Sequence, residues 1–140
     1  MNSATFTIML APVAKGRPKI GRGPGGRARA YTPKKTAEFE AMVRMASDLF
    51  LPPMPLEGAL SVELEFYLKR PKRLTKKKHG TGKVKHDKRP DIDNLVKSVL
   101  DGLDQWWGDD AQICELTARK FYCSIDEPRP RINVTIEGAR

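Results

Sequence analysis

Cysteine is scarce in this sequence: Cys114 and Cys123 are the only two among 140 residues, and they form no CxxC pair. That spacing suits neither a disulfide-stapled secreted scaffold nor a zinc finger, so both are read as reduced thiols. Histidine is equally sparse. His79 and His86 lie among lysines, whose positive charge would repel a metal ion. No apolar run approaches the ~20 residues that a membrane span requires. Near the N-terminus the charges follow the short stretch of Phe6, Ile8, Met9 and Leu10 instead of preceding it, unlike a signal peptide. The expectation is a cytoplasmic chain with no membrane partner. At 140 residues there is room for one packed core and no comfortable second one, so residues 1–140 are read as a single domain.

Acidic residues are missing from two stretches in particular. Residues 15–35 hold eight Lys or Arg and no acid, and residues 69–89 hold eleven opposed only by Asp87. These segments contribute +8 and +10, so the other 98 residues carry −9 within a total of +9. Like-charged blocks of this kind are ordinarily solvated or disordered loops, but each is bracketed by segments with clear periodicity. A net charge of this sign favours polyanionic partners, nucleic acid first among them.

Phe6, Ile8 and Leu10 alternate with polar or small neighbours, which predicts a strand. Pro12 to Pro33 reads as loop, its five glycines excluding a helix while allowing backbone to approach a phosphate closely. From Thr36, read as an N-cap, Phe39, Met42, Val43, Ala46, Leu49 and Phe50 recur at helical spacing until Pro52-Pro53. Leu60, Val62, Leu64, Phe66 and Leu68 predict a second strand. Ile92, Leu95, Val96, Val99, Leu100 and Leu103 form one stripe of a second helix, with Asp93, Lys97 and Asp101 on the opposite face. Ala111 to Cys123 alternates imperfectly, as a bulged strand or one buried on both faces would. Ile132, Val134 and Ile136 give a last strand. The order β, α, β, α, β, β predicts an α+β domain, a small mixed sheet of about four strands with two main helices.

Asp91, Asp93, Asp109 and Asp110 are the residues on which chemistry could rest. Several carboxylates in one place repel one another unless a cation joins them. A divalent metal is the usual solution, and Mg²⁺ suits a site with aspartates but no His or Cys cluster, held by one or two carboxylates plus substrate phosphate. Such an ion lowers the pKa of an attacking water and stabilises a leaving oxygen, so hydrolysis of a nucleic-acid backbone is the natural reaction. Each residue also has an ordinary structural reading. Asp91 suits an N-cap, Asp93 a first-turn carboxylate favoured by the helix dipole, and Asp109-Asp110 a turn after Gly108. Lys97 is either the i+4 partner of Asp93 or a cation reaching the phosphate. Trp106-Trp107 suits core or dimer packing, or else a wedge against exposed bases.

Lys88-Arg89-Pro90-Asp91-Ile92-Asp93-Asn94-Leu95-Val96-Lys97, then Asp101-Gly102-Leu103 and Asp109-Asp110-Ala111-Gln112-Ile113, resembles the RusA family of Holliday junction resolvases of bacteria and their prophages. Lys15-Gly16-Arg17-Pro18 and Tyr31-Thr32-Pro33-Lys34-Lys35-Thr36 are similar to that family's N-terminal segments. The resemblance implies a RusA-like fold and a homodimer that binds four-way DNA junctions and cuts symmetric strands with Mg²⁺, Mn²⁺ being the substitute ion. It assigns the metal-binding carboxylates to Asp91, Asp93 and Asp110 and the catalytic lysine to Lys97. Because the link Asp104 to Gly108 is shorter than the family's usual one, Asp109 is the second choice. The basic segments become arms that hold phosphates without reading sequence, with Lys15, Arg17, Lys19, Lys76, Lys77, Lys78, Lys88 and Arg89 as the DNA-binding residues. From a different class, the same residues suit a non-catalytic DNA- or RNA-binding protein whose aspartates merely cap helices.

Overall fold

The alternation of Phe6 and Ile8 with Thr5 and Thr7 becomes a strand, β1 (Ser3–Ile8), in a computed structural model that describes residues 3–139. In chain order there follow β2 (Lys19–Arg22), β3 (Ala28–Tyr31), α1 (Lys34–Asp48), β4 (Leu60–Leu68), β5 (Val84–Lys85), α2 (Ile92–Gly102), β6 (Ile113–Tyr122) and β7 (Arg131–Gly138). The sheet runs β1-β7-β4-β6-β5, while β2 and β3 form a separate antiparallel hairpin. All neighbours in the main sheet are antiparallel except β4 and β6. The α+β class and the two helices are as the periodicity predicts.

Two details differ from the sequence reading. The count of about four strands covers the long ones, but the hairpin and the two-residue β5 lie inside the basic segments, where no apolar alternation announces a strand. Thr36 is not an N-cap. Helix α1 starts two residues earlier behind Pro33, and Thr36 is buried in the first turn, its Oγ1 accepting a hydrogen bond from the Gly16 N–H at 3.0 Å.

The uneven alternation before Cys123 has a local cause. Leu60 pairs with Ile113 but Ser61 with Glu115, so one residue bulges where β6 begins. Beyond it Leu116, Ala118 and Lys120 share the sheet face of Val62, Leu64 and Phe66. On that face the side chains of β1, β4 and β7 pack against Phe39 and Val43 of α1 and Leu95, Val96 and Val99 of α2. Trp106 belongs to this core. It is fully buried and stacks on Phe6 with ring centroids 5.1 Å apart, and Trp107 is buried beside it, so packing is the role of this pair.

A parallel β4–β6 pair needs a crossover, and α2 supplies its helix. Entering from β4 and leaving into β6, α2 runs antiparallel to both. Its N-terminus therefore lies over the end of β6, and its C-terminus over the beginning. Gly102 permits the close crossing with α1: a Cβ there would lie 2.7 Å from Val43 Cβ and Cγ1 and 3.0 Å from the Glu40 carbonyl oxygen. Neither the β-branched side chain nor the helix backbone yields easily. Gly102→Ala is expected to destabilise the fold by about 1–3 kcal/mol, outweighing the helix-propensity gain of up to ~1 kcal/mol. Urea unfolding of the two proteins measures the difference, and an unchanged or raised midpoint would refute the close-packing account.

Candidate active site

Asp91 stands at the N-cap of α2 with extended backbone (φ −68°, ψ 140°), yet its side chain accepts no capping hydrogen bond. Asp93 follows in the first turn. Both are exposed and, among the described residues, neither joins a salt bridge. Capping therefore does not account for Asp91, nor pairing for Asp93. Both line an open cavity of about 1000 Å³ whose other walls include Lys85, Lys88, Arg89 and the β6 residues Ala118 to Phe121. These two uncommitted carboxylates, with Asp87 lining the same cavity, thus face a rim of cations. Lys97 projects one turn further along α2, exposed and likewise without a salt bridge among the described residues.

Lys120 is a site residue that sequence reasoning missed. Its ammonium donates to the Lys88 carbonyl at 2.6 Å and the Pro90 carbonyl at 2.7 Å, fastening to β6 the segment that delivers Asp91. Nothing in a strand sequence marks a lysine for that task. His86 lines the same cavity with its ring against Tyr122 at 4.2 Å. Burial, and then the charge of Lys120, push its pKa below the ordinary histidine value.

Asp109 and Asp110 sit elsewhere, and they differ. The Asp109 carboxylate accepts from the Ala111 N–H at 2.9 Å, while Gln112 Oε1 accepts from the Asp109 N–H at 3.0 Å, a capping box that starts the turn Asp110–Gln112. The Asp110 carboxylate accepts from Trp107 Nε1 at 2.8 Å through Oδ1 and is otherwise exposed. This turn follows the C-terminal end of α2. The helix's eleven residues extend about 16 Å, so Asp110 lies at the opposite end of α2 from Asp91 and Asp93. Ligands of one Mg²⁺ lie ~2.1 Å from the ion, a geometry one chain does not offer to all three. Among the described residues, no three His, Cys, Asp or Glu side chains converge as a metal site.

The basic segments are built, not loose. At the root of the first, the Lys15 N–H donates to the Asn94 carbonyl at 2.8 Å and the Ser98 hydroxyl donates to the Val13 carbonyl. The hairpin beyond is exposed along nearly its whole length and carries Arg17 at its base and Lys19 in β2. Lys15 differs from them. Its ammonium is held by Glu40 at 2.7 Å and Asp101 at 2.9 Å. Burial pulls its pKa down, but the two carboxylates outweigh that and hold it above the ordinary lysine value. Lys15 thus ties the segment to α1 and α2, its charge already matched. In the second segment Lys76, Lys77 and Lys78 are exposed around the turn Lys77–His79, and Lys88 and Arg89 are exposed on the cavity rim. That loop is organised by Arg70, whose guanidinium donates to the carbonyls of Leu74 (2.9 Å), Gly80 (2.8 Å) and Gly82 (2.7 Å). No helix among the described residues is long and apolar enough to cross a membrane.

With this geometry in place, comparison with known proteins is decisive about kinship. The chain is similar to the "Uncharacterized protein YqaN" of Bacillus subtilis (strain 168), 31% identical over 140 residues that cover 96% of each chain. The family model described as "Endodeoxyribonuclease RusA" matches residues 10–137, from just after β1 to the last strand and including every carboxylate considered above. The chain belongs to the RusA family of endodeoxyribonucleases.

Proposed function

We propose that this protein is a Mg²⁺-dependent, structure-selective endonuclease that resolves four-way DNA junctions by paired, symmetric phosphodiester hydrolysis in recombination and repair. The observation that carries this reading is the pair Asp91 and Asp93, exposed, unpaired and facing a cavity rimmed by cations. Two carboxylates with room for water and phosphate fit the way Mg²⁺ is usually held. When bound, the ion supplies an activated water and charge stabilisation at the scissile phosphate. Asp91 and Asp93 would hold it, and Lys97 would neutralise charge developing on the phosphate oxygens. Arg17, Lys19, Lys76, Lys77, Lys78, Lys88 and Arg89 would bind the flanking phosphates, a contact that orients DNA without reading its sequence.

Asp110 enters this scheme through a second copy of the chain. In a homodimer each centre would combine Asp91 and Asp93 of one protomer with Asp110 of the other, giving two centres for two incisions on a twofold-symmetric substrate. Asp109, whose carboxylate is occupied as a cap, is the weaker candidate. The test is incubation of the purified protein with a labelled four-way junction, with Mg²⁺ and with excess EDTA. Symmetric cuts that EDTA abolishes are the expected result. Junction binding with no metal-dependent nicking would overturn the proposal in favour of a non-catalytic binding protein.

A further inference from the structure

The geometry points to the free edge of β6 as the surface on which a second copy of this chain docks, strand against strand across a twofold axis at Leu116. This rests on the reading of the active site as one shared between two protomers. It names the surface that does the sharing.

β6 pairs with β4 along its full length, but on its other side β5 reaches only Phe121 and Tyr122. The His86 N–H adds one bond to the Lys120 carbonyl at 3.0 Å, and there the cover stops. Backbone groups alternate sides along a strand. In phase with Lys120, the N–H and C=O of Leu116 and Ala118 point outward, with no backbone partner among the described residues. An open row of this kind is a template for another strand. The side chains agree. Leu116 lies on the helix-covered face beside fully buried Val62, yet it is 48% exposed. Only something beyond the sheet edge could cover it.

The register follows from what blocks the edge. Because His86 and β5 occupy it from Lys120 onward, an antiparallel copy of β6 can bring its Ile113 no further than Arg119. The longest ladder within that limit pairs Ile113 with Arg119 of the other strand and puts Leu116 opposite its own symmetry mate, where the two leucines cover one another. The turn holding Asp109 and Asp110 then continues past Arg119 towards the cavity that Asp91 and Asp93 line. An acidic turn meets a basic rim. The same twofold that closes the sheet edge delivers the missing carboxylate; the other open edge beside the cavity, that of β5, offers only the two strand residues Val84 and Lys85.

Two variants of this protein test the edge. Leu116→Cys, made in a Cys114→Ser background, places two thiols about 5.5 Å apart between Cα atoms, within disulfide reach. Mild oxidation is expected to convert most of it to a covalent dimer on a non-reducing gel. Met45→Cys, on the exposed face of α1, serves as the competing interface and is expected to stay monomeric on that gel. Cross-linking through Met45→Cys in place of Leu116→Cys would overturn the inference. Leu116→Pro removes an outward N–H that the protomer does not use, so circular dichroism should be unchanged. Sedimentation is expected to show a monomer that cuts no junction, and a Leu116→Pro protein that remains dimeric or still makes paired cuts would also overturn it. The cross-linking readout needs no nuclease activity, so it distinguishes failure at the edge from failure of the endonuclease reading.

Discussion

Asp91→Asn and Asp93→Asn are each expected to slow junction cleavage by roughly 10³-fold or more, because the stabilisation a divalent ion contributes is several kcal/mol and each 1.36 kcal/mol is a decade of rate. Junction affinity should stay the same or tighten, since each change removes a negative charge from beside the phosphates. The fold should be indifferent. Asn is isosteric with Asp, and neither native carboxylate holds a cap or a salt bridge among the described residues. Single-turnover cleavage with saturating protein, together with a mobility-shift titration at fixed salt, separates the two effects. Wild-type cutting rates in both variants would remove the metal from these residues.

A second large effect comes from mixing two inactive proteins. If each centre takes Asp91 from one protomer and Asp110 from the other, Asp91→Asn and Asp110→Asn homodimers are both dead at both centres. In a mixed dimer one centre has both defects and the other has none. Random exchange makes about half the dimers mixed, so nicking returns to about a quarter of the wild-type centres. The product also changes in kind, from paired incisions to single nicks. Asp110→Asn keeps an Oδ1 that can accept from Trp107 Nε1, so the turn it sits in is preserved. A mixture as inactive as its parents, after verified subunit exchange, would place each complete centre within one chain and refute the shared arrangement.

How much of this was legible in the residues depended on the period of the pattern. Strands β1, β4 and β7 and both helices carry apolar positions at spacings of two or of three and four, because each buries one face on a common core, whereas β6, bulged and largely exposed, alternates unevenly. The hairpin and β5 bury almost nothing and left no such trace. Thr36 looked like a cap because capping residues are recognised by type. Its actual partner, Gly16 N–H, lies 20 residues away. Lys15 looked like a phosphate contact for a similar reason, since only the crossing of α1 with α2 brings Glu40 and Asp101 to the same ammonium. The separation of Asp110 from Asp91 was hidden by proximity in sequence. A helix followed by a turn carries a chain far in few residues, and the direction of β6 is a property of the sheet.

The hold of Arg70 on the most basic loop has a thermodynamic consequence. Three carbonyls of the loop and that of Cys123 converge on one guanidinium, so the backbone that carries the loop's lysines is held in place before any polyanion arrives. A mobile tail of equal charge would lose conformational freedom on binding and would mould itself to any DNA. A preorganised array loses little, and it rewards only those arrangements of phosphates that match its own spacing. Under the proposed junction-resolving function, discrimination between a branched and a linear duplex would follow from the stiffness of the loop, where charge alone would favour both.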